Sequence, residues 1–274
     1  MKHLSTTGHA AVARTLKNKD ELRALRREVL SLTDQCKDQK RQIRHLEDVV
    51  RKVLTDYRGW ILLPPPELRT HVGRVADPGN FWRQGVDSSQ RVLEVFGDDP
   101  GGLVLDWGCG PGRTLYWLHA KTAWREAYQG CDVDAEAIAW LRTQGIKCVE
   151  VCQDLPPLPY PDQHFVCFSV LTHIPPARHR AWFEEIHRVL KPGGRAYVTV
   201  HGDNNMLTTK TFTEEQRAAY FAQGWSWSER EGHYKHAATV TRAFTETALR
   251  GLFEVEQYRE LGYHSMDDVI IRRV

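Results

Sequence analysis

The stretch LVLDWGCGPGRT, residues 103–114, limits the possible folds more than any other part of the chain. An apolar run of strand type ends in an acid, and glycines come next at 108, 110 and 112. A main chain so bare suits a turn between a strand, Leu103 to Leu105, and a helix opening near Thr114. Without side chains at those positions a ligand can lie directly on the backbone.

The chain on either side of this turn has the rhythm of an alternating α/β protein. A helix is expected over 78–96, before the glycines. Strands are expected around Ala127 to Cys131, over IKCVEVC, over HFVCFSVL and over RAYVTVH, with the helical AEAIAWLR and PARHRAWFEEIHRVL between them. Residues 252–258 and 268–273 read as a closing pair of strands. This alternation implies a doubly wound, mostly parallel sheet covered on both faces, with its ligand beyond the carboxyl ends of the strands.

Two nucleotide-binding patterns compete for the glycines. A dinucleotide turn needs a glycine three places after Gly110, and that place holds Arg113. The alternative, Asp-x-Gly-x-Gly-x-Gly beginning at Asp106, resembles motif I of class I S-adenosylmethionine-dependent methyltransferases. Asp132, at the end of the second strand, can accept ribose hydroxyls. QDLPPLPYPDQHF, which holds Asp154, and LKPGG before the fifth strand resemble further landmarks of that family. The resemblance covers about residues 78–274 and implies a seven-stranded Rossmann-like fold binding S-adenosyl-L-methionine. It places Asp106, Gly108, Gly110, Asp132, Val133, Asp154, Leu155 and Ser169 around the cofactor. Two departures stand out. Val166 replaces an acid, which should cost hydrogen bonding at a sheet edge, and Trp107 is bulky enough to pack beneath the turn.

The acceptor is less legible. The place after the fourth strand reads Ser169 to His173, without the Pro-Pro-aromatic signature of nucleobase amino-group methylation, and no cysteine has the setting of a C5 nucleophile. Histidines stand there instead: His173 after the fourth strand and His201 after the fifth, each able to take a hydroxyl proton near neutral pH. His173 matches a histidine found in small-molecule O-methyltransferases that the family resemblance brings in. Ser169 and Thr172 occupy positions where a metal site would carry acids, so metal independence is expected. Residues 203–246, with Tyr220, Phe221, Trp225, Trp227 and Tyr234 among His233 and His236, form the expected substrate lid. O-methylation of a sugar, glycan or secondary-metabolite hydroxyl is the leading expectation. N-methylation of a small amine or amino sugar, and a scaffold that binds cofactor without turnover, are the alternatives.

The N-terminal part is organised differently. Leu22, Leu25, Val29, Leu32, Cys36, Gln39, Ile43, Leu46, Val50 and Val53 step by three and four, the repeat of a left-handed coiled coil. Residues 1–60 are expected to form this basic helix, and 61–77 a linker containing Pro64 to Pro66. The methyltransferase domain should run from 78 to 274. The arm carries 14 Lys and Arg against 8 Asp and Glu in a chain of net charge +2, which reads as a solvated helix face rather than a specific nucleic-acid site. Six cysteines without paired spacing, and no apolar run of membrane length, suggest a cytoplasmic protein with reduced thiols. A homodimer or higher homo-oligomer through the arm is expected.

Overall fold

In the computed structural model the described residues are 24, 27–42, 63–70, 77–160, 164–229 and 236–274. The chain divides into two units, Met1–Ile61 and Leu62–Val274. In the first, residues 27–42 are helical (α1), with Val29, Leu30 and Leu32 more than half exposed. Leu22, Leu25 and the seam from Ile43 onward lie outside the described residues.

The second unit is built on a seven-stranded sheet. Its strands are β1 Val104–Trp107, β2 Tyr128–Asp132, β3 Val149–Val151, β4 His164–Cys167, β5 Arg195–Val200, β8 Phe253–Tyr263 and β9 Met266–Arg273. They lie in the order β3-β2-β1-β4-β5-β9-β8. The first five pair in parallel, and β9 runs antiparallel to both β5 and β8. Helices α3 Pro78–Phe96, α4 Arg113–Lys121, α5 Ala135–Thr143, α6 His179–Val189 and α9 Arg242–Leu249 accompany it, after a single turn, α2 Pro66–Arg69.

Side-chain alternation along each strand splits the core. Val104, Val166 and Tyr197 join Val92 of α3, Leu115 and Leu118 of α4 and Leu141 of α5 on one face. Leu105, Phe165, Ala196 and Val198 join Trp182, Phe183 and Ile186 of α6 and Leu249 of α9 on the other. Trp107 belongs to this second cluster, its ring centroid 4.3 Å from that of Trp182. Local signals fix the helix ends. Asp77 caps α3 by accepting from the Gly79 amide at 3.1 Å, and α6 stops before a turn in which Gly193 has φ +68°.

Three expectations need correction. The first strand runs from Val104 to Trp107 rather than from Leu103 to Leu105, so Asp106 is a buried strand residue. The fourth strand ends at Cys167, after which Leu171–His173 forms a short 3-10 turn. Val166 costs no edge hydrogen bonds, because β4 lies between β1 and β5 and Val166 is fully buried. Strand order depends on tertiary packing that a local pattern does not contain.

The lid region holds α7 Asp203–Thr208, α8 Glu214–Gln223 and a separate antiparallel pair, β6 Trp225–Ser228 with β7 Ala237–Val240. Thr213 and Gln216 close a capping box at the start of α8. Tyr220 is fully buried, whereas Phe221 is about half exposed at 51%. Tyr234 and His233 lie outside the described residues.

The closing strands are tied to α3 by a buried charge. Asp268 has no solvent exposure, and its carboxylate accepts from Arg91 Nε at 3.2 Å, Arg259 Nε at 2.9 Å and the Tyr197 hydroxyl at 3.1 Å. Burial alone would raise this carboxyl, but Arg259 and Arg91 hold it below its ordinary value. A depressed folded-state value stabilises the fold above the unfolded value of about 4 and loses that contribution as pH falls through the folded one. Replacing Asp268 with Asn should therefore cost about 3–5 kcal/mol at pH 7, since two guanidinium groups lose their counter-charge. Urea denaturation should show this loss, with a smaller gap between wild type and variant at pH 3.

Candidate functional site

The glycine turn is held by the end of the neighbouring strand. Gly108 and Cys109 donate their amides to the Cys131 carbonyl at 2.7 and 3.1 Å. Gly110 donates to one Asp132 carboxylate oxygen at 2.7 Å, and Asp134 donates to the other at 2.9 Å. Gly108, Gly110 and Gly112 all have positive φ, at 75, 52 and 79°. At Gly108 a Cβ would fall 2.2 Å from Val170 Cγ2, and at Gly112 one would fall 2.5 Å from Leu141 Cδ2. Only glycine combines that conformation with that proximity.

The turn sits where strand order reverses, beside the β1–β4 boundary, and that crevice is the usual ligand position in an open α/β sheet. Asp106 is almost completely buried. Burial raises its carboxyl to about 7, with Arg113 opposing the rise and Asp132 adding to it. Burial also raises Asp132, although the amides of Asp134 and Gly110 work against this. Asp132 thus braces the turn with both oxygens. Val133 and Leu155 expose 43% and 47% of their surface, and Asp154 lies exposed beside Leu155.

At the end of β4, Ser169 has φ +65°, which is rare without glycine. Its amide donates to Thr199 Oγ1 at 2.8 Å, and its hydroxyl lies 2.9 Å from Thr172 Oγ1, while Thr172 also donates to the Ser169 carbonyl. These contacts, with Val170 over Gly108, hold the strained residue against the turn. Thr199 and Val170 are not legible as site residues in the sequence, because each acts through a contact remote along the chain.

The structure brings His173 and His201 together. His173 ends the 3-10 turn, and its Nδ1 lies 2.8 Å from the His236 carbonyl. A carbonyl only accepts, so Nδ1 carries the proton and Nε2 is the basic atom. Burial lowers the His173 imidazole despite that bond. His201 follows β5 and meets Thr239 of β7 in an isolated bridge. Its imidazole is lowered to about 4, by burial first and by the proximity of His173 second, with the Ala238 backbone offsetting part of the shift. Both rings are neutral at pH 7. Two other histidines are structural: His179 donates to the Leu171 and Ile174 carbonyls, both at 3.0 Å, and His164 accepts from the Arg195 amide at 3.1 Å.

The elements within residues 203–246, the expected lid, are linked to one another by side-chain contacts. Trp227 stacks on His236 at 5.4 Å between centroids, and the Tyr220 hydroxyl donates to Asp203 at 2.7 Å. Thr239 donates to Asn205 Oδ1 at 3.1 Å, linking β7 to α7. Among the described residues no three or more His, Cys, Asp or Glu side chains group as metal ligands. The described residues also contain no helix long and apolar enough to cross a membrane.

Residues 104–194, from β1 to the turn after α6, match the family model of a methyltransferase domain. Among curated proteins, a probable tRNA methyltransferase 9B of Bos taurus is 34% identical over 105 residues, 37% of this chain and 22% of that protein. An uncharacterized 37.1 kDa transposon protein of Streptomyces fradiae is 36% identical over 111 residues, 38% of this chain and 31% of that protein. The matched length is thus less than a third of either relative. A solved SAM-dependent methyltransferase of Methanosarcina mazei is 20% identical, with a TM-score of 0.49 over 67% of this chain and 97% of its own. Over residues 104–194 the chain is thus similar to a methyltransferase domain. The glycine turn fits S-adenosylmethionine by leaving its backbone open and by lacking the helix-start spacing of a pyrophosphate site.

A neutral buried imidazole makes a definite pH prediction. The unfolded chain binds a proton at His201 from about pH 6.5 downward, while the folded chain resists until about pH 4. Stability should therefore fall by about 1–3 kcal/mol between pH 7.5 and pH 5 through this group. Chemical denaturation at the two pH values should show the slope, and His201→Gln should flatten it.

Proposed function

We propose that this chain methylates a hydroxyl of a sugar, glycan or secondary metabolite, with His173 as the proton acceptor. The observation that carries the reading is the fixed tautomer of His173, whose basic Nε2 belongs to a ring half-buried beside His201. When bound, S-adenosylmethionine supplies a methyl group on positively charged sulfur. The chain's own residues provide the remaining functions. Gly108 and Gly110 leave room for the ligand's backbone-facing edge, Asp106 offers a carboxylate to its ammonium group, and Val133 and Leu155 flank its base beside Asp154. Asp132 holds the turn and stands within reach of the ribose. Ser169 borders the methionine end. His173 takes the hydroxyl proton as the oxygen attacks in line with the departing sulfur. His201, lowered further, keeps a second positive charge out of the pocket. Trp225, Trp227 and His236 supply flat surfaces of the kind that stack against a sugar or polycyclic acceptor.

Neutral imidazoles suit a hydroxyl, which must lose its proton during transfer. An amine acceptor, the second reading, needs only to arrive unprotonated, and loss of His173 would affect it less. Incubating the protein with candidate acceptors and cofactor labelled at the methyl, then locating the label by mass spectrometry, tests the reading. Label on oxygen is expected, with kcat lowered about 10²–10⁴-fold in His173→Gln. Label on nitrogen would favour the amine reading. Tight cofactor binding with no transfer to any acceptor would favour the scaffold.

Oligomerisation belongs to the same proposal. Val29 and Leu32, on the exposed helix of the first unit, are two members of the sequence seam, and a second copy of the arm would cover them. Removing residues 1–60 should convert an oligomer to a monomer by light scattering and leave affinity for S-adenosylhomocysteine within about twofold, because unit Leu62–Val274 holds its own core. Lost cofactor affinity would place the arm in the site wall.

A further inference from the structure

The β8–β9 hairpin returns toward the glycine turn, and its tip carries a polar group that the fold does not use. Tyr263 ends β8 and pairs with Met266 across the tip. Its ring lies 4.9 Å from Phe168, the residue after β4, and 4.4 Å from His264. Arg113, the first residue of α4, and Asp106, in β1, both act electrostatically on its hydroxyl, as does Asp87 of α3. These contacts locate the phenol between the ends of β1 and β4 and the start of α4, beside the turn that Gly108 to Gly112 form.

Tyr263 is 6% exposed, and its hydroxyl is sealed from solvent without a well-aligned hydrogen bond among the described residues. The neighbouring Ser88 hydroxyl bears on the phenol but is also engaged with Thr114 Oγ1 at 2.9 Å and the Gly85 carbonyl at 3.2 Å, and makes no bond of good geometry to it. Sealing a phenol hydroxyl without a partner is costly unless a ligand completes it. Here the completing group should be an anion. The hydroxyl is a donor, and the Arg113 guanidinium acts on it electrostatically.

We propose that Tyr263 is a positioning residue that donates its hydroxyl proton to the carboxylate of the methionine tail. This inference rests on the cofactor assignment and extends it to the last hairpin, which lies outside the matched domain. A zwitterionic tail is then held at both charges, its ammonium group by Asp106 and its carboxylate by Tyr263 with Arg113. The same hydrogen bond closes the hairpin tip over the turn, so Tyr263 selects ligands that carry the amino-acid end.

Two nucleosides separate this role from a structural one. S-adenosylhomocysteine has the carboxylate, and 5′-methylthioadenosine has the same nucleoside and thioether without it. Tyr263→Phe keeps the ring against Phe168 and removes only the hydroxyl. Calorimetric titration should show S-adenosylhomocysteine binding about tenfold more weakly to the variant, the loss expected for a hydrogen bond to a charged group. Binding of 5′-methylthioadenosine should stay within about twofold. Unchanged affinity for both nucleosides, or an equal loss for both, would overturn the role of Tyr263. Wild type that binds neither would overturn the cofactor assignment itself, a result distinct from either. Tyr263→Leu, with a thermal midpoint taken alongside, checks that the ring is what holds the tip.

Discussion

The Asp132 carboxylate and the Cys131 carbonyl carry the glycine turn, and the site depends on that attachment. Three amides of residues 108–110 end on these two acceptors at the end of β2. The turn leaves β1, so its shape depends on the register of β1 against β2, in which Trp107 stands opposite Cys131. A slip of one residue would turn Asp106 and Trp107 to the opposite faces and remove both acceptors. Burying Asp132 at this point is costly, and the two amides it receives offset that cost. The turn is thus main chain held by one carbonyl and one carboxylate, which explains how it can be shaped almost without side chains of its own.

The opposite end of the crevice is built on a different principle. Beyond β5, the antiparallel β9 brings Asp267 and Asp268 opposite Val200 and Thr199. Asp268 is neutralised by two arginines, while Asp267 accepts from the Tyr258 hydroxyl at 3.1 Å and the Leu261 amide at 3.1 Å. A Cβ at Gly202 would fall 2.0 Å from Asp267 Oδ2, so the chain leaving β5 is pressed against this acid. His201 occupies the position just before that glycine. Its place in the pocket is therefore set by an acid on the final strand, 66 positions further along the sequence.

This contrast explains which parts of the molecule are legible in the sequence. The turn, its lead acid and the helix over 78–96 are written in contiguous residues, and their bounds read nearly correctly. The closing strand pair is legible because its alternation is local too. Val166 misleads, since nothing near it in sequence says that β4 is interior. Asp132 reads as an open ligand for ribose, and only the folded chain shows both its oxygens engaged with backbone. The tautomer of His173 depends on a carbonyl 63 positions away, and the burial of Tyr263 depends on a hairpin folding back over the first strand. In each of these cases the decisive contact is between residues distant in sequence, where propensity and spacing are silent.

The pairing of the two histidines constrains the chemistry further. On the proposed reading, a base with a lowered value holds a proton poorly, so His173 would not generate a free alkoxide ahead of methyl transfer. It can share the proton only as the oxygen's charge is consumed by the new bond, which ties deprotonation to the displacement itself. His201, with its imidazole near 4, stays uncharged at neutral pH and adds no second charge, while burial and the nearby His236 are what lower His173. The proton should pass from His173 to water when the pocket opens. On the same reading, any movement of His236, which immediately precedes β7, would link acceptor release to resetting the base, because its carbonyl is what orients the ring.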